Sequence, residues 1–257
     1  MRILFLGDIV GRPGRKLVRE RIAGLRAELG ADLVFANGEN ASAGLGLSAK
    51  NARELLNAGI DALTSGNHIW KFKDVWNLLD TDSRLLRPHN YPAGPGTGVR
   101  IIRADGLPPV ALINLLGRTF MPPVDCPFRA VDRILDELDP EIRIRVVDFH
   151  AEATSEKQAM GFHLDGRVSA VLGTHTHVPT ADACVLEHGT AYITDLGMCG
   201  PQRSCLGMKP DIIVKRFLDG LPARFEVASE PGILQGAIFD IEESSGQVKT
   251  ITPVTTV

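Results

Sequence analysis

Three widely separated segments, Gly66-Asn67-His68, Asp148-Phe149-His150 and Gly173-Thr174-His175-Thr176-His177, each set an imidazole or a carboxamide directly after an apolar run. Two earlier apolar runs end in carboxylates, Asp8 after Gly7 and Glu39-Asn40 after Gly38. Imidazole nitrogens, carboxylates and amide oxygens, with no thiolate among them, suit iron, manganese or zinc. If each run is a buried strand of an open α/β sheet, its polar end falls on the C-terminal edge, where such sheets bind ligands. Asp8, Glu39, Asn40, Asn67, His150, His175 and His177 are then too many groups for one tetrahedral ion with four ligands. Two ions fit better, about 3.5–4 Å apart, sharing a carboxylate and clamping a hydroxide for in-line attack on phosphorus.

His175 and His177 are the strongest local signal, because residues two apart in an extended stretch face one side. The same alternation turns His68 away from Asn67, which predicts separate tasks for the two. A buried, unpaired Glu39 would be costly, and a cation removes that cost. Asp8 on its own reads as a capping carboxylate, and only the convergence of strand ends makes it a ligand. His163 and His188 have no comparable setting and read as surface or packing residues, while His89 is open between roles. The stretch Gly7-Asp8-Ile9-Val10-Gly11-Arg12-Pro13-Gly14 lacks both the G-x-G-x-x-G of dinucleotide sites and the G-x-x-x-x-G-K-[ST] of P-loops.

The elements that must position these groups follow from periodicity. A strand over residues 2–7 leads to a helix over 13–29, where Leu17, Ile22, Leu25 and Leu29 recur at helical spacing and Gly30 closes the turn. A strand over 32–36, a helix from Ser48 through Leu56 and a strand over 61–64 complete a βαβαβ start. Residues 81–123 are rich in Pro and Gly but contain strand-like runs at 99–103 and 110–115. A helix over 128–138, a strand over 142–149, a helix over 154–164 and a strand over 168–172 follow. Beyond His177 the pattern becomes hairpin-like, with runs at 184–187, 191–196, 223–228, 234–241 and 248–253 and little helix. The expectation is a second sheet packed on the first with helices outside both, in one domain spanning residues 1–257.

The 257 residues include 44% hydrophobic and 23% charged residues, the balance of a globular chain with a full core. A net charge of −3 leaves no broad footprint for duplex nucleic acid, though a local basic pocket could hold a phosphate. Met1-Arg2 runs straight into an apolar strand with no leader pattern, and no apolar run reaches the ~20 residues of a membrane span, so the cytosol is the expected compartment and no membrane partner is expected. Cys126, Cys184, Cys199 and Cys205 form no C-x-x-C pair and read as reduced, small buried side chains. Self-association into a homo-oligomer is the commoner state for such an enzyme.

The phrases Gly7-Asp8-Ile9-Val10-Gly11, Asn37-Gly38-Glu39-Asn40, Ser65-Gly66-Asn67-His68-Ile69-Trp70, Asn114-Leu115-Leu116-Gly117-Arg118, the run from Asp148 to Lys157 and the run from Gly173 to Asp182 resemble the YmdB branch of the calcineurin-like metallophosphoesterases. They span nearly the whole chain. The chain departs from the wider superfamily in reading Asp8-Ile9-Val10 where D-x-H is usual, and Glu39 where an Asp is usual. The resemblance implies a four-layer αββα fold of two mixed sheets flanked by helices. It implies a first metal held by Asp8, Glu39, Asn40 and His177, with Glu39 bridging to a second held by Asn67, His150 and His175. It also implies phosphodiester hydrolysis, including cyclic nucleotides such as 2′,3′-cyclic AMP, and a site-proximal loop over residues 197–201.

On this reading His68 is left free to act as general acid on the leaving oxygen. Free nucleotides and RNA ends both remain open as substrates. Two rival readings stand beside it: a metal-dependent hydrolase of another ester or an amide, and a metal-stabilised regulatory or binding protein without turnover.

Overall fold

The computed structural model of the chain describes residues 1–229 and 231–257. The first half runs β1 (Arg2–Leu6), β2 (Asp8–Ile9), α1 (Gly11–Leu29), β3 (Leu33–Asn37), α2 (Ala49–Asn57), β4 (Ala62–Thr64), a 3-10 turn (Ile69–Lys71), α3 (Asp74–Thr81), β5 (Val99–Ile102), β6 (Val110–Leu116) and α4 (Pro127–Glu137). The second half runs β7 (Ile144–His150), α5 (Thr154–Leu164), β8 (Ala170–Thr174), β9 (Cys184–Val185), β10 (Ala191–Ile193), β11 (Met198–Pro201), α6 (Pro210–Asp219), β12 (Gly232–Ile241) and β13 (Val248–Thr256).

One sheet has the order β2-β11-β12-β1-β3-β4 with β13 paired to β12, and the other the order β5-β6-β7-β8-β10-β9. In the first, β1, β3 and β4 are parallel and β12 runs against β1. In the second, β6, β7, β8 and β10 are parallel. Strand alternation builds three cores from this arrangement. Leu4, Leu6, Val34 and Ala36 face outward onto Val18 and Ile22 of α1, Leu55 of α2 and Leu79 of α3. Ile3, Phe5, Leu33 and Phe35 face inward onto Leu112, Val146, Ala170 and Leu172 of the second sheet. Ile113, Val147, Phe149 and Val171 face outward onto Val131 and Ile134 of α4 and Met160 and Leu164 of α5. The result is the expected α/β architecture of four layers, helix, sheet, sheet, helix, with both sets of parallel strands ending on one edge.

Local signals account for several boundaries. The Ser48 side chain accepts a hydrogen bond from the Asn51 backbone N–H and caps α2, and Gly30 closes α1 at φ 61°. Three expectations need correction. Residues 223–228 form no sheet strand: only Val227 makes a bridge, to Met208, and the stretch lies outside both sheets with most of its side chains exposed. Residues 198–201, read as part of a loop, form β11, which pairs Met198 with Asp8. The cysteines are free, but only Cys199 is buried, and Cys184 is exposed. Among the described residues no helix is long and apolar enough to cross a membrane.

Candidate metal centre

All seven predicted ligands, and His68, meet at the shared strand edge, and Glu39 is the hub. Its Oε1 lies 3.2 Å from His150 Nε2 and 3.2 Å from His68 Nδ1, and accepts from Asn40 Nδ2 at 3.1 Å. Its Oε2 accepts from the His68 backbone N–H at 3.1 Å. Asn67 Oδ1 is 3.2 Å from His150 Nε2, and His175 Nδ1 is 3.0 Å from the same nitrogen. One donor atom each from Glu39, His150 and His175 lies within 4.8 Å of the others, close enough to hold a metal ion. On the other flank His177 Nε2 lies 3.0 Å from Asn40 Nδ2 and 3.7 Å from Asp8 Oδ1. Asp8 Oδ2 accepts from the His175 backbone N–H at 3.0 Å.

The backbone that delivers the histidines is not the extended one expected. His175 and His177 have φ 102° and 63°, a left-handed conformation that costs a non-glycine residue of order 1–3 kcal/mol and persists only where the surroundings impose it. The two rings therefore reach the site by a turning loop, not by strand alternation. His68 is not extended either: with φ −93° and ψ 2° it opens the 3-10 turn, which carries its ring back toward Glu39 and Asn40. Asn67 and His68 thus both face the cluster, against the alternation argument.

Several supporting side chains carry no ligand-like sequence signature. Sheet register sets His150 beside Thr174, whose Oγ1 is 2.8 Å from His150 Nδ1 and donates to Asp148 Oδ1 at 2.7 Å. Asn37 Nδ2 donates to Asp148 Oδ2 at 2.9 Å. This relay occupies Nδ1 of His150 and leaves Nε2 toward the ligand cluster, an arrangement typical of metal-bound imidazoles. His175 is held in the same way, with Nε2 3.0 Å from Glu152 Oε2. Behind the loop, Asp195 Oδ2 accepts from the Thr176 backbone N–H at 3.0 Å, and Lys157 Nζ donates to the same oxygen at 2.7 Å. Lys157 is 1% exposed and Asp195 0%, so the pair is fully desolvated. One sequence signal could have found it: Lys157 sits on the buried stripe of α5 with Met160, Gly161 and Leu164, where a lysine needs a partner.

Burial and crowding set the charges. Burial pushes the Asp8 carboxyl up to about 6, against the pull of His177 and His150. At Glu39 burial also acts upward, but His150 and His68 outweigh it and hold the carboxyl well below the usual range. Burial disfavours charge on His150, yet Glu39, Asp8 and Asp148 push it up to about 9. His175 is pushed down to about 3 by burial and by the adjacent His150.

Two observations test whether cations fit. Asp8 Oδ1 is buried without a hydrogen-bond partner, a costly state for a carboxylate oxygen that a cation would relieve. A Cβ at Gly66 would lie 2.2 Å from Glu39 Oε2 and 2.3 Å from His150 Nε2, so the glycine keeps clear the space into which these donors point. The oxygen and nitrogen donor set completes the fit.

Residues 4–254 match the YmdB-like protein family. The chain belongs to that family. This YmdB-like chain is 48% identical over 246 residues to a 2′,3′-cyclic-nucleotide 2′-phosphodiesterase of Bacillus subtilis strain 168, covering 95% of this chain and 93% of the relative. A crystal structure of a hypothetical protein from Thermus thermophilus superimposes with a TM-score of 0.93 at 42% identity, covering 100% of this chain and 99% of that one. A structure described as a novel phosphatase from Mycoplasma pneumoniae gives 0.94 at 34% identity, covering 100% and 93%.

Proposed function

We infer that the chain is a metal-dependent phosphodiesterase of cyclic nucleotides, with 2′,3′-cyclic AMP as a representative substrate. The observation that carries this reading is the buried convergence of Asp8, Glu39, Asn40, Asn67, His150, His175 and His177 around an unpartnered carboxylate oxygen. The name of the Bacillus subtilis relative supports the same substrate class. Asp8, Glu39, Asn40 and His177 would hold one cation, and Glu39, Asn67, His150 and His175 a second, with iron or manganese preferred and zinc compatible. Bound there, the pair supplies a water of lowered pKa and neutralises charge on the phosphoryl oxygens.

The chain's own residues complete the reaction. His68 Nδ1 is anchored 3.1 Å from Asn40 Oδ1, while its Nε2 has no partner among the described residues and the side chain is 32% exposed. Nε2 is therefore placed to give its proton to the leaving ribose oxygen, a role worth ~10²–10⁴-fold in rate. Asp148 and Thr174 hold the His150 ring in one tautomer, Glu152 does so for His175, and Lys157 with Asp195 supports the loop between the two terminal histidines. We read residues 1–257 as one cytoplasmic domain that works as a homo-oligomer.

Elemental analysis of protein purified without added metal, paired with hydrolysis of 2′,3′-cyclic AMP, tests the assignment. Two ions per chain and turnover that chelation abolishes and manganese or iron restores are expected. Protein that binds no divalent ion and hydrolyses no phosphodiester overturns it.

A further inference from the structure

Beside the metal centre runs a groove of about 1130 Å³ whose lining includes Arg12, Lys71, Arg224, Phe225, Leu45 and Met208. None of the ligand residues lines it, but its walls follow closely on the ligand segments. Lys71 is three residues past His68, which at ~3.6 Å per residue is at most about 11 Å of chain, and Arg12 is four residues past Asp8. Across the groove, the Leu206 carbonyl lies 3.0 Å from His177 Nδ1, two residues before Met208. The walls are tied together at that point: a Cβ on Gly44 would lie 2.6 Å from Met208 Cε and 2.8 Å from a Val227 methyl.

The charge of this groove is one-sided, in a chain whose net charge is −3. Among its lining residues Arg15 is paired with Glu54 at 3.1 Å, and the one acid, Glu226, is taken by Lys209 at 2.6 Å. Arg12, Lys71 and Arg224 have no carboxylate partner among the described residues. Phe225 is 41% exposed, with the Arg216 guanidinium 4.9 Å from its ring centroid. Unpaired cations interleaved with an accessible aromatic ring form the pattern that binds a single strand, with phosphates on the cations and bases stacked on the ring. A free mononucleotide has one phosphate, which the metal centre takes, and would leave these cations unused.

Resting on the phosphodiesterase reading above, we propose that the substrate is the 2′,3′-cyclic phosphate end of single-stranded RNA, with the groove holding the nucleotides that precede it. The chemistry is unchanged: the water oxygen bonds to phosphorus, one ribose P–O bond breaks, that oxygen takes a proton, and a phosphomonoester end remains on the strand.

The test compares kcat/KM for 2′,3′-cyclic AMP and for a hexaribonucleotide ending in a 2′,3′-cyclic phosphate, in the wild-type chain with manganese and in a Lys71→Glu/Arg224→Glu variant. Both positions are exposed, so folding is not at stake, and Phe225→Ala provides a second, uncharged probe. A wild-type preference for the oligomer of roughly tenfold or more is expected, as one stacked base can supply. That preference should weaken with salt and collapse in both variants, while 2′,3′-cyclic AMP turnover stays within about twofold. Equal kcat/KM for the two substrates, or a preference that survives the variants, overturns this proposal and leaves the phosphodiesterase reading standing. A variant whose oligomeric mass changes would instead make the groove a contact between subunits, which also overturns it. Hydrolysis of neither substrate defeats the underlying reading.

Discussion

The ligand cluster and the segment that walls the groove beside it are built on opposite principles. Asp8, Glu39, Asp148 and His150 are each 0% exposed and grow from strand ends of two packed sheets, and nearly every polar atom among them is hydrogen-bonded. In the segment that carries that wall, α6 has no buried residue at all, and Phe217 and Leu218 are 86% and 83% exposed. Bridges from Met208 to Cys205 and to Val227 hold the segment to itself, and the Leu206 carbonyl, 3.0 Å from His177 Nδ1, joins it to the ligand cluster. The contrast teaches a division of labour. The sheets fix atoms that must not move relative to one another, and the segment beside them includes a helix that buries no face against either sheet.

The sharpest way to break the comparison is to unmake the hub. Glu39→Ala should lose bound metal by elemental analysis, with hydrolysis falling to background. His68→Ala should keep its metal and lose about 10²–10⁴-fold in kcat; equal metal content and equal kcat in the two variants would erase the distinction between holding cations and moving protons. Lys157→Met leaves Asp195 buried and unpaired beneath the histidine loop, which should cost about 3–5 kcal/mol in chemical denaturation. The double change Lys157→Met/Asp195→Asn should recover part of that loss. Glu152→Gln should weaken metal affinity by about 10–100-fold, measured by chelator competition, with little change in folding stability. The smallest effect belongs to α6: Phe217→Ser should shift stability by no more than about 0.5 kcal/mol, and a loss of several would mean that α6 is covered in solution.

The cluster was largely legible because strands ending in polar residues leave a mark in the sequence. Glu39, His150 and His177 each follow an apolar run that can only be a buried strand, and parallel topology then forces their meeting. The two-sheet, four-layer architecture was legible for the same reason. The routes by which histidines arrive were not legible. Alternation predicts an extended backbone at His175, His177 and His68, whereas the local conformation is dictated by Asp8 and Asp195, which are remote in sequence and bind the amides of His175 and Thr176. The wall was misread for a different reason. Residues 223–228 alternate like a strand, but β-propensity expresses itself only where a neighbouring strand pairs with it, and in this stretch only Val227 makes a bridge, to Met208. The helix α6 carries apolar residues that meet no core, so no reading of periodicity toward a core could place it.

The left-handed backbone at His175 and His177 has a consequence for anyone who would graft this metal site elsewhere. A short peptide reading Gly-Thr-His-Thr-His would relax to an ordinary extended shape and splay its rings. The bend is imposed from outside, by Asp8 from one sheet and by Asp195 with its lysine from the other. Transplantation therefore requires four chain segments at once, and the familiar-looking pentapeptide is the least portable part of the centre.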